Sequence, residues 1–205
     1  NDLIYNHATA RVPGEEGHFL INAYGYAYEE VTASSLVKID FDGKVVLDSG
    51  TGYGINQAGF VIHSAVHRGR ADVACVIHTH SPAGMAVSAL KCGLLPLTQN
   101  AMFFGEIAYH DYEGPAVDLD EQKRLVRDLG KTSAMILRNH GLLTTGRTVP
   151  EAYLNIHELE HACQAQIDAQ SGGNENLKLV PKEICESTAQ QYVRFTGNKI
   201  PGERA

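Results

Sequence analysis

Two histidines, His78 and His80, lie two residues apart at the end of an apolar run, residues 73–77, that has the length of a buried strand. Side chains alternate between the two faces of a strand, so both imidazoles should point to the same side. Neutral imidazole is a common ligand of zinc and its first-row neighbours. The spacing favours chelation of one metal ion. The alternative interpretation is a pair of polar residues at the solvent end of a strand.

A third histidine, His140, follows a second apolar run, residues 134–137, and precedes Gly141. If the two strands are neighbours in one sheet, His140 completes a set of three with His78 and His80. Three protein ligands with an open position are typical of a catalytic metal, whereas structural zinc sites are closed. Taken alone, a histidine before glycine is more often a turn residue, so the interpretation of His140 depends on the pairing.

The segment from His157 to His161 matches H-E-x-x-H, the pattern of zinc proteases, within a predicted helix. The spacing puts both histidines on one helix face. The same helix also carries an ordinary apolar stripe that explains it as amphipathic packing. With ten histidines in the chain a chance match is easy, so we interpret His157 and His161 as polar residues beside that stripe.

The elements that must position these residues follow from apolar periodicity and from turn and cap residues, among them Asn56 and Ser81, each of which can cap the start of a helix. β-prone runs are predicted at residues 19–21, 35–39, 44–47, 73–77, 103–110 and 134–137, and helices at 57–68, 82–92, 120–129, 148–170 and 181–195. Strands that alternate with helices after early hairpins predict a mixed sheet covered by helices on both faces. We expect one domain over residues 1–205, with an N-terminal segment missing before it.

The composition excludes several classes of protein. The 205 residues are 43% apolar and carry a net charge of −7, which disfavours nucleic acid because phosphates require clustered Lys and Arg. Four dispersed cysteines without a CxxC pair indicate reduced thiols instead of a zinc ribbon or a disulfide scaffold. Neither a membrane span nor a signal peptide is visible, so we expect a cytoplasmic protein that does not associate with membranes.

Two motifs, residues 78–84 (HTHSPAG) and 138–142 (RNHGL), resemble the metal-binding motifs of the class II aldolase/adducin family. Further runs at residues 31–39, 56–60, 91–96 and 108–112 are similar to the head domain of adducins and their bacterial relatives. The resemblance covers nearly the whole chain. It implies an α/β fold, a three-layer α/β/α sandwich around a mixed, largely antiparallel sheet, and a homo-oligomer, since the family's sugar-phosphate aldolases are tetramers.

The resemblance also implies that His78, His80 and His140 bind a divalent metal. Zinc is the expected ion, and Mn, Fe, Co or Ni are compatible with histidine ligands. The aldolases' catalytic glutamate corresponds to Gly59, and their phosphate-binding serines correspond to Gln57 and Ala58. Aldol chemistry needs a positioned base, which glycine cannot supply. A sugar-phosphate aldolase is therefore not expected, and Gly59→Glu is expected to create a fourth ligand or a base.

Two interpretations remain open. The first is an adducin-like metal-binding domain without aldolase activity, whose role is assembly or the binding of an unidentified ligand. The second is a metal-dependent lyase, a decarboxylase or an aldolase-like enzyme, that acts on a small carbonyl acid, with a substitute base drawn from Glu106, Tyr109, His110 or Asp111. Binding to actin and spectrin is not expected, because residues 202–205 show none of the basic tail that adducins use.

Overall fold

The structure is a computed structural model that describes residues 3–50, 52–114 and 120–196. Within these ranges it contains eight strands, β1 His7–Arg11, β2 His18–Asn22, β3 Leu36–Asp40, β4 Val45–Leu47, β5 Cys75–Thr79, β6 Ala108–His110, β7 Ala134–Leu137 and β8 Gly141–Gly146. The helices are α1 Gln57–Gly69, α2 Pro82–Ser88, α3 Gln99–Met102, α4 Glu121–Leu129, α5 Val149–Gln170 and α6 Lys182–Thr196.

All eight strands form one sheet in the order β4-β3-β2-β1-β5-β8-β7-β6. Every neighbouring pair is antiparallel except β6 and β7, which are parallel. The predicted mixed, largely antiparallel sheet is therefore confirmed. Strand β5, which carries His78, lies at the centre of the sheet between β1 and β8.

Helices cover both faces of the sheet, because successive strand residues point to opposite sides. On one face, Val76 and Leu143 are buried together with residues of α1 and α4. On the other face, Ile77 and Leu142 pack with residues of α2 and α5. This arrangement confirms the three-layer α/β/α sandwich. His78 is two residues after Val76 and so belongs to the face that α1 covers.

The helices next to the histidines begin at capping residues that the sequence had indicated. The Asn56 side chain accepts hydrogen bonds from the first turn of α1, at 2.9 Å from the Ala58 nitrogen. Ser81 Oγ accepts from the Gly84 nitrogen at 2.9 Å, with Pro82 at the first position of α2. Each cap satisfies backbone N–H groups that have no partner within the helix. Each cap therefore defines the residue at which its helix begins.

Two strands were missed by the sequence interpretation, and both flank β5. Strand β1 carries polar residues at His7, Thr9 and Arg11, so its apolar signal is weak. Strand β8 follows β7 after only three residues, and the two were not separated. The predicted run 103–110 is a strand only at Ala108–His110, and α2 ends at Ser88, well before the predicted end near Cys92.

Among the described residues, no helix combines the length and the apolar character that crossing a bilayer requires.

Candidate metal centre

The three histidines of the sequence prediction lie together at one end of the central strands. His78 is in β5, His80 follows its end, and His140 is in the turn between β7 and β8. The centroids of the His78 and His80 rings are 4.5 Å apart, and each is 4.8 Å from the ring of His140. One nitrogen from each ring lies within 4.8 Å of the others. In the described part of the chain, no other set of three or more His, Cys, Asp or Glu has such geometry.

The strand order that brings His140 to His78 and His80 differs from the prediction. Strands β5 and β7 are not neighbours, because β8 lies between them. The turn at Asn139, with a positive φ of 55°, leads directly from β7 into β8 and carries His140 towards the end of β5. Gly141 makes the close approach possible, since a Cβ there would stand 2.3 Å from the Thr79 carbonyl oxygen.

Hydrogen bonding fixes the tautomer of His78. Its Nδ1 lies 2.8 Å from the carbonyl oxygen of Leu142, which can only accept, so Nδ1 carries the proton. Nε2 is then left with its lone pair and lies 2.8 Å from Nε2 of His80. A histidine whose second nitrogen donates to a carbonyl is the usual arrangement of a metal ligand.

The electrostatic surroundings keep His78 and His140 neutral. Burial, followed by the neighbouring His140 and His80, holds the pKa of His78 well below its ordinary value. Burial and then His80 lower the pKa of His140 to about 4. Because a metal ion and a proton compete for the same nitrogen lone pair, a low pKa leaves these nitrogens available at neutral pH.

A cavity of about 390 Å³ opens beside the three rings. Its wall includes Tyr5, His7, Met85 and Tyr112, none of which the sequence analysis had singled out as a site residue. His7 was missed because the apolar pattern did not reveal strand β1, which places the His7 ring beside the cluster. The arrangement leaves room for a small ligand next to the three histidines.

Gly59, in the first turn of α1, also lines this cavity. A Cβ at position 59 would lie 2.7 Å from Cδ2 and Cγ of the His7 ring, closer than real Cβ contacts come. The expectation that Gly59→Glu simply adds a carboxylate is therefore not supported, because the His7 ring already fills that space. Burial and then His80 lower the pKa of His7 to about 4.

The four residues considered as substitute bases lie outside this cavity, although His110 and Asp111 line a separate space of about 10 Å³ that also adjoins His140. Tyr109 Oη accepts a hydrogen bond from the Leu94 nitrogen at 3.1 Å, and His110 Nδ1 lies 2.7 Å from an oxygen of Asp128. Glu106 and Asp111 are exposed. None of these four residues lines the cavity beside the histidine cluster.

The H-E-x-x-H segment does not form a second metal site with a third ligand among the described residues. His157 and His161 are exposed on the outside of α5, with ring centroids 4.1 Å apart. Glu160, between them in sequence, points the other way. It accepts hydrogen bonds from the hydroxyls of Thr79, at 2.6 Å, and Ser81. Glu160 therefore holds the segment that carries His80, a role that no motif had indicated.

Comparisons with known proteins agree with this fold. Residues 1–167 match the family described as "Class II Aldolase and Adducin N-terminal domain". Alpha-adducin from Rattus norvegicus is 50% identical over 183 residues, which cover 88% of this chain and 25% of alpha-adducin. A solved aldolase II superfamily protein from Pseudomonas syringae is 52% identical with a TM-score of 0.90, covering 96% of this chain and 82% of that chain.

A more distant solved structure shares the same architecture. L-fuculose 1-phosphate aldolase from Glaciozyma antarctica PI12 is 28% identical with a TM-score of 0.82, covering 98% of this chain and 84% of that chain. The chain spans about a quarter of the length of alpha-adducin. The resemblance predicted from the two histidine motifs is confirmed, and the chain belongs to the class II aldolase and adducin family.

Proposed function

We propose that this chain is an adducin-like domain of the class II aldolase family that binds one divalent metal ion through His78, His80 and His140 and is not a sugar-phosphate aldolase. The observation that carries the proposal is the meeting of three imidazole nitrogens within 4.8 Å beside an open cavity. Three histidine ligands with an accessible fourth position match the ligand count of catalytic metal sites.

The donor set fits such an ion. The carbonyl of Leu142 orients His78, and burial keeps His78 and His140 unprotonated at neutral pH. Zinc is the ion we expect, and Mn, Fe, Co and Ni are compatible with three imidazoles. With three neutral ligands a bound ion would keep its double charge and polarise an oxygen of a carbonyl acid.

The lack of a general base at the cavity supports the proposal that the chain is not a sugar-phosphate aldolase. Position 59 is glycine, and of the described residues that line the cavity none is Asp or Glu. Gln57 and Ala58 also lack the hydroxyls that would donate to a sugar phosphate. A positioned general base contributes roughly two to four powers of ten in rate, so its loss removes the usual aldol mechanism.

The test is elemental analysis of the purified protein, followed by anomalous scattering from crystals soaked with small keto acids. The proposal expects about one divalent ion per chain, bound by three histidines. An acid chelated beside the ion would favour a metal-dependent lyase over an assembly domain. A protein that retains no ion after incubation with Zn, Mn, Fe, Co or Ni contradicts it. So does an ion that lies at His157 and His161.

A second candidate function is a metal-dependent lyase that acts on a small carbonyl acid. The cavity favours it, because a volume of about 390 Å³ lies in the range of small-molecule sites and adjoins the three histidines. Decarboxylation of a keto acid needs an electron sink more than a base. Release of carbon dioxide from small keto acids by the metal-loaded protein, and not by His78→Ala, would support it. Binding without turnover would favour a role in assembly or ligand binding.

We also propose that the chain forms a homo-oligomer, with four copies as the expected number. Strand β4 supports this, because it is an edge strand whose residues Val45, Val46 and Leu47 are all exposed. Apolar edge strands are ready to pair with another chain unless they are covered. Light scattering after size-exclusion chromatography measures the number of copies, and a monomer at micromolar concentration would contradict the proposal.

A further inference from the structure

We propose that His7 is the residue of this chain that selects the ligand, by hydrogen bonding to a hydroxyl carried by a keto acid bound at the three histidines. This inference deepens the proposed metal-binding function and rests on it. It assigns a role to a buried imidazole that nothing else in the fold explains.

The position of His7 places it beside the histidine cluster. Strand β1 pairs with β5 so that His7 is directly opposite His78. The two rings are stacked nearly parallel, 8° apart in plane with centroids 6.5 Å apart. The His7 side chain is 4% exposed and lines the same cavity as His78, His80 and His140. A short ligand bound at the cluster would therefore extend past the His7 ring.

Both nitrogens of the His7 ring are buried without a hydrogen-bond partner among the described residues. A buried polar group without a partner costs free energy, so such groups in folded proteins usually bind water or a ligand. A neutral imidazole offers one donor and one acceptor. A hydroxyl group, which can also donate and accept, is the simplest ligand group that matches it.

The His7 ring explains why position 59 is a glycine. A Cβ there would lie 2.7 Å from two ring carbons of His7 and 2.8 Å from its Nδ1. The space next to the cluster can hold either the His7 ring or a side chain at position 59, but not both. Gly59 therefore allows an imidazole from β1 to form this part of the cavity wall.

The first experiment tests the spatial exclusion and needs no metal or ligand. Gly59→Ala should lower the melting temperature by several degrees, because its methyl group pushes against the His7 ring. In a His7→Ala background the same change should cost much less, since the ring is gone. Equal losses in the two backgrounds would overturn the exclusion.

The second experiment tests selectivity by calorimetry on the zinc-loaded protein, with pyruvate and hydroxypyruvate as probes. The wild type should bind hydroxypyruvate about tenfold more tightly, the contribution of one net hydrogen bond. His7→Phe replaces the imidazole with an aromatic ring that has no hydrogen-bonding atoms, and it should bring the two affinities to about the same value while the zinc content is retained. His161→Phe, on the exposed face of α5, is the control and should keep the preference.

The outcomes separate this inference from the proposed function. A protein that binds no metal refutes the proposed function, and with it this role of His7. Metal binding with equal affinity for the two acids, with no affinity for either, or with the preference retained in His7→Phe overturns the role of His7 alone. Loss of zinc from His7→Phe would also overturn it, because His7 would then belong to the metal site.

Discussion

At the scale of single residues, the arrangement depends on which nitrogen of His78 is left for a ligand. His78 donates from Nδ1 to the Leu142 carbonyl and keeps Nε2 for a ligand. His140 is half-buried and His80 is held by a hydrogen bond from its backbone nitrogen to Asn6 Oδ1 at 2.6 Å. By contrast, His157 and His161 face solvent on α5.

The contrast between these two sets predicts how metal content responds to substitution. His78→Ala or His140→Ala should lower the bound metal to a small fraction of the wild-type value, because each removes one of the three proposed ligands. His157→Ala and His161→Ala are the matched controls and should keep nearly all of it. Inductively coupled plasma mass spectrometry on dialysed protein measures the ratio. Equal losses from the two sets would refute the assignment of the metal to His78, His80 and His140.

At the scale of elements, two contacts bring the histidines together from distant parts of the chain. The first is the close approach of the β7–β8 turn to the end of β5, which Gly141 permits. The second is the reach of Glu160 from α5 to the hydroxyls of Thr79 and Ser81. Helix α5 therefore supports the segment that carries His80.

Gly141→Ala should separate His140 from His78 and His80. The added methyl group would stand 2.3 Å from the Thr79 carbonyl oxygen, so the turn has to move away. We expect lower metal affinity and a lower melting temperature, measured by metal titration and by calorimetry. Gly172→Ala is the control, since its Cβ would meet nothing closer than 3.5 Å. Unchanged metal affinity in Gly141→Ala would show that the turn does not depend on this contact.

Glu160→Ala should weaken metal binding without removing a ligand. It leaves the Thr79 and Ser81 hydroxyls without their acceptor and loosens the segment around His80. Groups that support metal ligands in this way typically change affinity by about 10- to 100-fold. Glu158→Ala, which removes a contact with Asn100 instead, is the comparison in a metal titration. If both variants bind metal like the wild type, Glu160 has no positioning role.

At the scale of the whole molecule, the interface between α1 and the sheet contains a line of buried histidines. Thr9 Oγ1 lies 2.8 Å from both His63 Nδ1 and His67 Nε2. Burial, and then Arg11, lowers the pKa of His67 to about 3. Burial, and then His7 and His67, holds the pKa of His63 well below its ordinary value of 6.5. The folded protein keeps these rings neutral where the unfolded chain would protonate them.

The free energy of unfolding should therefore fall as the pH is lowered. Below pH 6.5 the unfolded chain binds protons that the folded chain excludes, so the free energy of unfolding falls as the pH drops towards 4. Each such histidine contributes up to about 1.4 kcal/mol per pH unit. Urea denaturation at several pH values, with a chelator present to exclude metal release, measures the slope.

The contribution of one buried histidine, His67, can be measured by substitution. His67→Gln should make the dependence on pH shallower by about one proton, whereas His161→Gln on the surface of α5 serves as the control. A stability that stays constant between pH 7 and pH 5 would show that the buried histidines are not kept neutral in the folded protein.

The sequence by itself determined the parts that depend on neighbouring residues. The period of two along β5 placed His78 and His80 on one side, and the Asn56 and Ser81 caps located the starts of α1 and α2. Alternating strands and helices gave the sandwich of three layers, and the two histidine motifs gave the family. These features follow from the geometry of a single strand or of one helix turn, which a short stretch of sequence specifies.

The tertiary structure alone decided which distant residues meet. That β8 separates β5 from β7, that the His7 ring fills the space at Gly59 and that Glu160 holds the segment around His80 all depend on strand order, register and close packing. No spacing along the chain specifies these contacts, because they join residues far apart in sequence. The candidate metal ligands could therefore be named from the sequence, whereas the wall of their cavity could not.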